Sequence, residues 1–496
     1  MTNFLRMDTI WKNTSTRLLD TAMRLRPLRE WALRQGEKQL FDQFLVRNEE
    51  HLPRKVQEMR YLALSNLLHS VDRALADGRI APQVRLTLIK TLVGSVLMGE
   101  RERMDPFAKR HGFDPPTLLV ISPTQQCNLC CKGCYAVSSA AEKAILRYDV
   151  FRRILNEKKA DWGSRFTVIT GGEPLMYRSD GKDLFDILAD NRDTYFMMYT
   201  NATLIDDEAA RKMADLGNIT PAISVEGWEK ETDARRGQGV FSKIQQAMDH
   251  LVARGVPFGV SATATRENAE TIMSEKFMDY YFHEKGAIYG WIFQYMPIGR
   301  GFTVDLMITP EQRKWMLEKE LEMIYRKNLF LIDFWNGGPM SVGCIAAGRT
   351  GGYFYIDGHG NIAPCVFFPY YVDNIYKVYE EGRDMTSVLK SGYFRTLREW
   401  QDRYARTFKH PSDVQNLLMP CPMRDHHKFA YDVITRFGAK PLDDEAERAI
   451  ADADYHSRMY EYNARVGELL DPIWEKDFRS GKATLEEPGR LPVGKA

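Results

Sequence analysis

The sequence has little net charge, no long apolar run and few cysteines. Its 496 residues carry a net charge of +1, so no overall electrostatic attraction to nucleic acid or to a membrane is expected. The longest apolar run, LTLIKTLVGSVLM at 86–98, is shorter than the roughly 20 residues that span a bilayer. The first residues lack the apolar stretch of a secretory signal, so we expect a chain that stays in the reducing cytoplasm.

Four of the seven cysteines nevertheless lie close together, in the segment CNLCCKGCYA at 127–136. Cys127, Cys131 and Cys134 have the spacing C-x₃-C-x₂-C after a predicted strand, which suits three thiolates on a [4Fe–4S] cube. A four-cysteine zinc site is disfavoured, because the adjacent Cys130 and Cys131 do not easily face one tetrahedral ion. A catalytic disulfide pair is the other alternative, and it leaves two of the cysteines unexplained.

Short apolar runs alternate with helical patterns through the middle of the chain. This alternation favours βα units and a parallel sheet. The predicted fold class is therefore α/β, with a partial (β/α)6 barrel whose ligand site lies at the carboxyl ends of its strands. The strands are predicted at 117–124, 166–172, 195–203, 220–227, 257–268 and 289–299, and a candidate seventh at 330–335.

Four regions are predicted along the chain: a helical N-terminal extension at 1–114, the barrel at 115–335, a small domain at 336–430, and a helical segment with a disordered tail at 431–496. The extension is assigned because apolar residues recur there at spacings of three and four. The small domain is expected to open with a hairpin, since Asp-Gly and Gly-Asn pairs interrupt the apolar run around 357–361.

The first 40 residues are basic, with eight Lys or Arg against four Asp or Glu. Apolar residues lie among them, including Leu18, Leu19, Met23, Leu25 and Leu28. One interpretation is an amphipathic helix that makes peripheral contact with anionic lipid. The other, which we favour, is a basic helix that packs on the next domain.

Polar or glycine-containing motifs follow the predicted strands. They are ITGGEP at 169–174, YTNAT at 199–203, ISVEG at 223–227 and YMPIGR at 295–300. Glycines allow the backbone to approach a ligand, and Glu173 offers a carboxylate. One such motif is an ordinary turn, but four at successive strand ends predict a ligand site across the top of a barrel.

With the cysteine loop, these motifs make residues 115–430 resemble the radical S-adenosylmethionine (radical SAM) superfamily. The resemblance implies that Cys127, Cys131 and Cys134 bind a [4Fe–4S] cluster and that Cys130 does not. It also implies reductive cleavage of SAM to a 5′-deoxyadenosyl radical, which abstracts hydrogen from an unactivated carbon. The aromatic residue common before the last cysteine is Gly133 here, and TNA replaces the more usual TNG.

The resemblance also implies a set of SAM-binding residues. The GGEP segment is expected to receive the amino group, one asparagine to approach the ribose, and a serine with an arginine to approach the carboxylate. In that order the residues are Gly171, Gly172 and Glu173, then Asn201, then Ser224 with Arg235 or Arg236.

The remaining cysteines, Cys344, Cys365 and Cys421, each lie beside Gly or Pro or close to one. Isolated cysteines are often buried small hydrophobes. Here their positions resemble the SPASM/twitch domain that follows the barrel in relatives, which implies a second, auxiliary [4Fe–4S] cluster. Its fourth ligand is left open between His426, His427, Asp425 and no protein group.

The substrate is not settled by the sequence. Many relatives modify peptides through a winged-helix domain, but the first 110 residues here have helical patterns only, so a small-molecule or lipid substrate stays an alternative. The candidate catalytic residues are Asp333, Tyr353 and Tyr355. A flavodoxin or ferredoxin is the expected electron donor. The alternative class is an iron–sulfur electron-transfer protein without SAM chemistry, which the GGEP and ISVEG motifs disfavour.

Overall fold

The computed structural model describes residue 23 and residues 25–88, 100–408, 410–482 and 484–489. Most of the basic start of the chain, including Leu18 and Leu19, lies outside the described residues. The helices, including 3₁₀ and π segments, are Arg26–Phe41, Asp42–Arg47, Arg54–Ala76, Pro82–Thr87, Glu100–His111, Tyr148–Trp162, Pro174–Met176, Leu184–Asp190, Asp207–Leu216, Glu229–Arg236, Val240–Arg254, Ala269–Ile272, Glu275–Met278, Asp279–Glu284, Val304–Leu306, Pro310–Tyr325, Gly338–Ser341, Ile375–Glu380, Met385–Leu389, Gly392–Ala405, Pro411–Asp413, Pro422–Asp425, His427–Phe437, Asp444–Ala451, Ala453–Ile473 and Trp474–Arg479.

Seven parallel strands form the centre of the fold and pair in chain order. They are β1 (Leu118–Ile121), β2 (Phe166–Ile169), β3 (Tyr195–Thr200), β4 (Ile219–Val225), β5 (Gly259–Ala264), β6 (Gly290–Gln294) and β7 (Leu331–Asp333). These strands are almost wholly buried, as expected when helices cover one face of a parallel sheet and the other face encloses an interior. The predicted α/β class with a partial barrel is confirmed, and the candidate seventh strand is present.

The helices between the strands begin and end at typical capping residues. The Asp206 side chain accepts a hydrogen bond from the backbone N–H of Ala209 and so caps Asp207–Leu216. Thr309 and Gln312 form a reciprocal capping box in front of Pro310–Tyr325. Gly217 ends its helix in the left-handed conformation, with φ of 72°. These local signals explain why the alternating pattern was readable from the sequence.

The hairpin after the barrel joins the same sheet. Strands β8 (Tyr355–Ile356), β9 (Asn361–Ala363) and β10 (Asp373–Asn374) extend it beyond β1, with β8 parallel to β1 and the other two pairings antiparallel. In the described sheet β7 therefore stays an edge, and the barrel is open. This hairpin lies in the small domain predicted at 336–430. Its pairing with β1 was not predicted, because the pairing of two distant strands leaves no local pattern in the sequence.

The N-terminal and C-terminal segments pack against the barrel and each other. The Asn66 side chain, on Arg54–Ala76, donates hydrogen bonds to the carbonyls of Ile324 and Leu329. The buried Glu58 carboxylate accepts hydrogen bonds from Thr484 and Leu485. Disorder of the tail at 479–496 stays a prediction, and residues 483 and 490–496 lie outside the described residues. Within the described part, Thr484 and Leu485 supply partners for the buried Glu58 charge.

The described start of the chain is helical. Three apolar side chains there, those of Leu25, Leu28 and Trp31, are exposed. Across the described ranges, no helix combines the length and apolar character that a membrane crossing requires.

Candidate functional site

A cavity of about 360 Å³ lies inside the sheet and opens at the carboxyl ends of β1 to β6. We call it the first cavity. The cysteine loop and the four predicted strand-end motifs all contribute to its wall. The chain thus brings together segments that are far apart in sequence, at the place where βα folds bind ligands.

The cysteine loop contributes Cys127, Cys131 and Cys134 to this wall, while Cys130 is exposed and lies outside it. Burial raises the pKa of the Cys127 thiol to about 12, and the backbone N–H of Leu129, which donates to its sulfur, opposes this shift. A free Cys127 thiol therefore stays protonated at neutral pH, and its thiolate needs a positive partner such as iron. Three cysteines in one cavity wall, one of which accepts a backbone N–H, fit the ligand set of a [4Fe–4S] cluster.

The two glycines of GGEP touch the start of the cysteine loop. A Cβ on Gly172 would lie 1.9 Å from the carbonyl oxygen of Gln126, so no larger residue fits there. The backbone N–H of Gly172 donates to the Thr124 carbonyl, and that of Glu173 donates to the Gln126 carbonyl. Gly171 and Gly172 both line the first cavity, with backbone close to the cysteines.

Glu173 is not among the residues that line the first cavity, and its contact with SAM stays a prediction. Its fully buried carboxylate accepts hydrogen bonds from the Thr200 hydroxyl at 2.8 Å and the Asn201 N–H at 2.9 Å. A third comes from the Leu175 N–H at 3.2 Å. Burial raises the pKa of Glu173 to about 7, and these donors oppose the shift. These hydrogen bonds tie Glu173 to the end of β3, where Asn201 lines the cavity.

Ser224, Arg235 and Arg236 line one side of the first cavity, as the resemblance implied. Both guanidinium groups pair with the same oxygen of Glu226, a fully buried residue of the ISVEG motif that sequence reasoning did not single out. Two cations on one carboxylate leave a net positive charge beside Ser224. That charge suits a ligand carboxylate or an anionic cluster.

An aromatic ring from a distant segment fills the space beside Gly133. A Cβ on Gly133 would lie 2.6 Å from Cε2 of Tyr295, and Tyr295 lines the first cavity. Gly133 has φ of +66°, which favours glycine. The loop keeps an aromatic residue one position later, Tyr135, which lines the same cavity, and Tyr295 of YMPIGR occupies the space beside Gly133. Sequence reasoning missed this, although the Gly133 departure was the available signal.

The interior of the first cavity is apolar and uncharged. Apart from the two arginines beside Glu226, its wall has no side chain of Asp, Glu, Lys, Arg or His among the described residues. The Gln294 Nε2 group donates to Asp333 across 2.7 Å, which leaves the Gln294 Oε1 atom buried without a partner. Buried polar atoms are normally satisfied, so this oxygen is a candidate acceptor for a ligand.

The three candidate catalytic residues take different positions. Asp333 lines a second cavity and binds Gln294 and the N–H groups of Trp335 and Asn336. Tyr353 lines both cavities. Tyr355 lines neither, because its hydroxyl lies 2.7 Å from that of Ser122 between β8 and β1. The structure therefore does not bring Tyr355 to the site.

The second cavity, of about 230 Å³, is lined by Cys344, Cys365 and Cys421. Leu64 from the N-terminal extension also lines it. The backbone N–H of Phe367 donates to the Cys365 sulfur across 3.3 Å. Burial raises the pKa of Cys344 and of Cys421, and the backbone of Ala346 and of Arg424 opposes these two shifts. Burial raises the pKa of Cys365 to about 12. Cys365 is thus a buried thiol that accepts a backbone N–H, as Cys127 is. Cys344, Cys365 and Cys421 together fit the three thiolate ligands of a cluster.

The candidate fourth ligands have other partners. His426 contacts the Met419 carbonyl, and His427 contacts the Met423 carbonyl and His456. Asp425 forms a fully buried ion pair with Arg313 and accepts from the Cys421 N–H. None of these three lines the second cavity, where Asp333 is the acidic side chain of the described wall. In the described part of the chain, no group of three or more His, Cys, Asp or Glu is arranged around a single metal ion.

Comparisons with known proteins agree with this geometry. Residues 121–274 match the radical SAM superfamily. The chain is 29% identical over 162 residues to the Fe-coproporphyrin III synthase of Methanosarcina barkeri, which covers 32% of this chain and 40% of that protein. It is 29% identical over 195 residues to the AdoMet-dependent heme synthase of Nitratidesulfovibrio vulgaris, which covers 37% and 49%. The chain thus spans half or less of the length of these relatives.

Two further known proteins match a larger share of this chain. The cysteine-type anaerobic sulfatase-maturating enzyme of Clostridium perfringens is 24% identical over 296 residues, covering 51% of this chain and 75% of that protein. The solved structure of native anSMEcpe with bound AdoMet and Kp18Cys peptide has a TM-score of 0.50 at 16% identity, covering 72% and 98%. The match of residues 121–274 confirms the resemblance to the radical SAM superfamily.

Proposed function

We propose that this chain is an enzyme that cleaves SAM with a [4Fe–4S] cluster held in the first cavity. The observation that carries the proposal is that Cys127, Cys131 and Cys134 line one cavity with Gly171 and Gly172. Three thiolates leave one iron of a cube without a protein ligand, so a small molecule can chelate it. When bound, the cluster and SAM supply a 5′-deoxyadenosyl radical, which removes hydrogen from an unactivated carbon.

The chain's own residues bind and orient SAM in this proposal. The Gly171–Gly172 backbone approaches the amino group, and Ser224 with Arg236 binds the carboxylate beside the spare positive charge. Asn201 approaches the ribose, held by its hydrogen bond to Glu173. The Tyr295 ring packs against the nucleoside, since it lines the cavity beside Gly133. Apolar walls exclude water from the reacting carbon.

A second [4Fe–4S] cluster is proposed for the second cavity, on Cys344, Cys365 and Cys421. The cavities share wall residues, including Ile345, Tyr353 and Phe367, and the Tyr353 hydroxyl lies 2.9 Å from the Cys365 sulfur. A substrate in the first cavity therefore lies beside the auxiliary cluster. With the candidate histidines bonded elsewhere, the fourth iron is open.

The substrate group that enters the first cavity is proposed to be uncharged and to carry an N–H or O–H. A carboxylate on this group would have no ion partner in the described wall apart from Arg235 and Arg236, which we assign to SAM. Gln294 Oε1 instead offers an acceptor for an N–H or O–H. A peptide side chain or amide fits this description. The porphyrin products named for two relatives are polycarboxylates, so they fit less well. A lipid stays the alternative, supported by exposed Leu25, Leu28 and Trp31 at the basic start of the chain.

An external electron donor, such as a flavodoxin or ferredoxin, belongs to the proposal because SAM cleavage consumes one electron. The electron-transfer alternative needs no binding pocket for an amino acid. It therefore leaves unexplained why a spare positive charge lies beside Ser224 in the cavity that holds the cysteines.

The test is to replace Cys127, Cys131 and Cys134 together by Ala, with Cys130→Ala as the matched control. The triple variant is expected to lose about four irons per chain, the content of one cube, and to form no 5′-deoxyadenosine from SAM under reduction. Cys130→Ala is expected to retain both, because its side chain is exposed outside the cavity. Iron analysis and product chromatography measure the outcome. Loss of the cluster in Cys130→Ala would overturn this ligand set, and no 5′-deoxyadenosine from the fully loaded protein would favour electron transfer.

A further inference from the structure

Arg349 is a buried cation beside Cys344. Its side chain is 3% exposed, and its guanidinium donates to the carbonyls of Cys344, Thr350 and Ser341. In the described part of the chain, no carboxylate forms an ion pair with it. A guanidinium keeps its charge in a protein, so this positive charge is stabilised by carbonyl dipoles and by the more distant Asp402 and Glu50, without an ion pair to a described residue.

Arg424 is a second buried cation of the same kind. It is fully buried, and its side chain donates to the Tyr295 carbonyl at 3.1 Å and the Tyr462 hydroxyl at 2.7 Å. Its Nε atom has no partner, and its guanidinium lies 5.2 Å from the centre of the Trp335 ring, which lines the second cavity. Arg424 lies on the short helix that begins directly after Cys421. No carboxylate pairs with Arg424 among the described residues.

A third buried arginine, Arg313, has its charge compensated by a carboxylate. Arg313 is fully buried and forms an ion pair with the equally buried Asp425. Burying a charge without a partner is costly, so buried charges in proteins are normally paired. Two buried cations without an ion pair among the described residues, on the segments of Cys344 and Cys421, therefore indicate that an anion belongs near these cysteines, although neither arginine lines the second cavity.

We propose that Arg349 and Arg424 are the counter-charges of an anionic iron–sulfur cluster in the second cavity, and that they raise its reduction potential. The proposal rests on the auxiliary cluster of the proposed function. A cluster with three thiolate ligands carries net negative charge, which increases on reduction. Nearby buried cations stabilise the reduced form more than the oxidised form, because the electrostatic interaction grows with the negative charge.

A merely structural role is the competing explanation, in which Arg349 only ties the carbonyls of 341–344 together. Charge and hydrogen bonding are separable by substitution. Arg349→Lys keeps the positive charge and loses the planar donor array, whereas Arg349→Gln keeps amide donors and loses the charge. The same pair of substitutions applies to Arg424.

The experiment uses the chain with Cys127, Cys131 and Cys134 replaced by Ala, so that the auxiliary cluster is the one measured. Iron content and the midpoint potential, followed by electron paramagnetic resonance, are compared for Arg349→Lys, Arg349→Gln and the two Arg424 variants. Arg398→Gln is the matched control, because Arg398 also donates to a carbonyl of this loop, that of Ala347, but is only half-buried.

The expected result is a more negative midpoint potential in both Gln variants and little change in the Lys variants and in Arg398→Gln. If a Gln variant loses its iron while the matching Lys variant keeps it, the charge requirement is supported as well. An unchanged potential in fully loaded Arg349→Gln and Arg424→Gln would overturn the proposal, as would equal loss of iron in Lys and Gln variants. Absence of iron in the starting triple variant would remove the auxiliary cluster itself, and this inference with it.

Discussion

The Gln294 side chain donates a hydrogen bond to the Asp333 carboxylate across 2.7 Å, and this pair connects the two cavities. Gln294 lines the first cavity and Asp333 the second. The other Asp333 oxygen accepts from the N–H groups of Trp335 and Asn336. Burial raises the pKa of Asp333, and the three donors oppose that shift. Asp333 therefore holds Gln294 in one orientation, with its free oxygen available to substrate.

Replacing Gln294 by Leu is expected to separate substrate binding from SAM cleavage. The variant leaves a buried carboxylate with one donor fewer, at a cost of about 1–3 kcal/mol in unfolding free energy. Formation of 5′-deoxyadenosine from SAM alone is expected to continue, because Gln294 has no role in the proposed SAM contacts. Binding of a neutral amide probe such as N-acetylalaninamide, measured by calorimetry with SAM present, is expected to weaken. Equal binding to both proteins would contradict the assigned acceptor.

Replacing Glu173 by Ala is expected to lower stability and SAM affinity together. The carboxylate holds Thr200, Asn201 and Leu175 in place, so its loss leaves buried donors unpaired and costs about 1–3 kcal/mol for each. SAM affinity falls because Asn201 moves. Denaturant unfolding and equilibrium dialysis measure the two effects.

A matched control for Glu173 is Glu157→Ala. Glu157 also accepts from a backbone N–H, that of Met385, and from a tyrosine hydroxyl, but it lies outside the first cavity. The Glu157→Ala substitution is expected to lower the free energy of unfolding and to leave SAM affinity unchanged. A Glu173→Ala protein with native stability and weakened SAM binding would instead support the direct contact that the sequence implied.

The parts of the site that were predictable depend on local signals. Cys127, Cys131 and Cys134 follow β1 in one short loop, and glycines after β2 mark a close backbone approach, so spacing alone places them. The helices between strands were readable for the same reason, since caps such as Asp206 and Gly217 lie next to the periodic segments they end.

The parts that were missed depend on contacts between distant residues. Tyr295 fills the space beside Gly133 from more than 150 residues away, and β8 pairs with β1 across more than 230. The strand pairing leaves no pattern in its own segment, and the glycine at 133 marks a close approach without naming the residue that makes it. The direction of a side chain in a turn is also unreadable from sequence, and the hydrogen bonds of Glu173 to Thr200 and Asn201 are an example. The docking of the 484–489 tail on Glu58 is a further contact of this long-range kind.

Lys158 is expected to make stability depend on pH. The side chain is fully buried, its Nζ donates to the carbonyls of Ser164 and Phe166, and burial lowers the pKa of Lys158 to about 7. Between about pH 7 and about pH 10 the unfolded chain holds this proton while the folded chain has released it, so stability rises with pH in that window. Each unit of pKa difference contributes about 1.4 kcal/mol.

Unfolding free energies of wild type and Lys158→Met, measured from about pH 7 to about pH 9, check this prediction. The variant is expected to lose the part of the slope that Lys158 contributes. Lys159→Met is the matched control, because Lys159 is the next residue and pairs with Asp193 instead. Parallel slopes in wild type and Lys158→Met would contradict the expectation.

The auxiliary cluster is expected to have an open iron that His426 and His427 do not close. His426 binds the Met419 carbonyl and packs against Trp400 and Tyr404, and His427 binds the Met423 carbonyl and His456. Neither lines the second cavity. In the chain with Cys127, Cys131 and Cys134 replaced by Ala, both His→Ala variants should keep the electron paramagnetic resonance spectrum of the auxiliary cluster. Added cyanide, a small ligand for an accessible iron, should change it. A spectrum altered by either histidine substitution and indifferent to cyanide would show a closed site, and would place substrate chemistry in the first cavity alone.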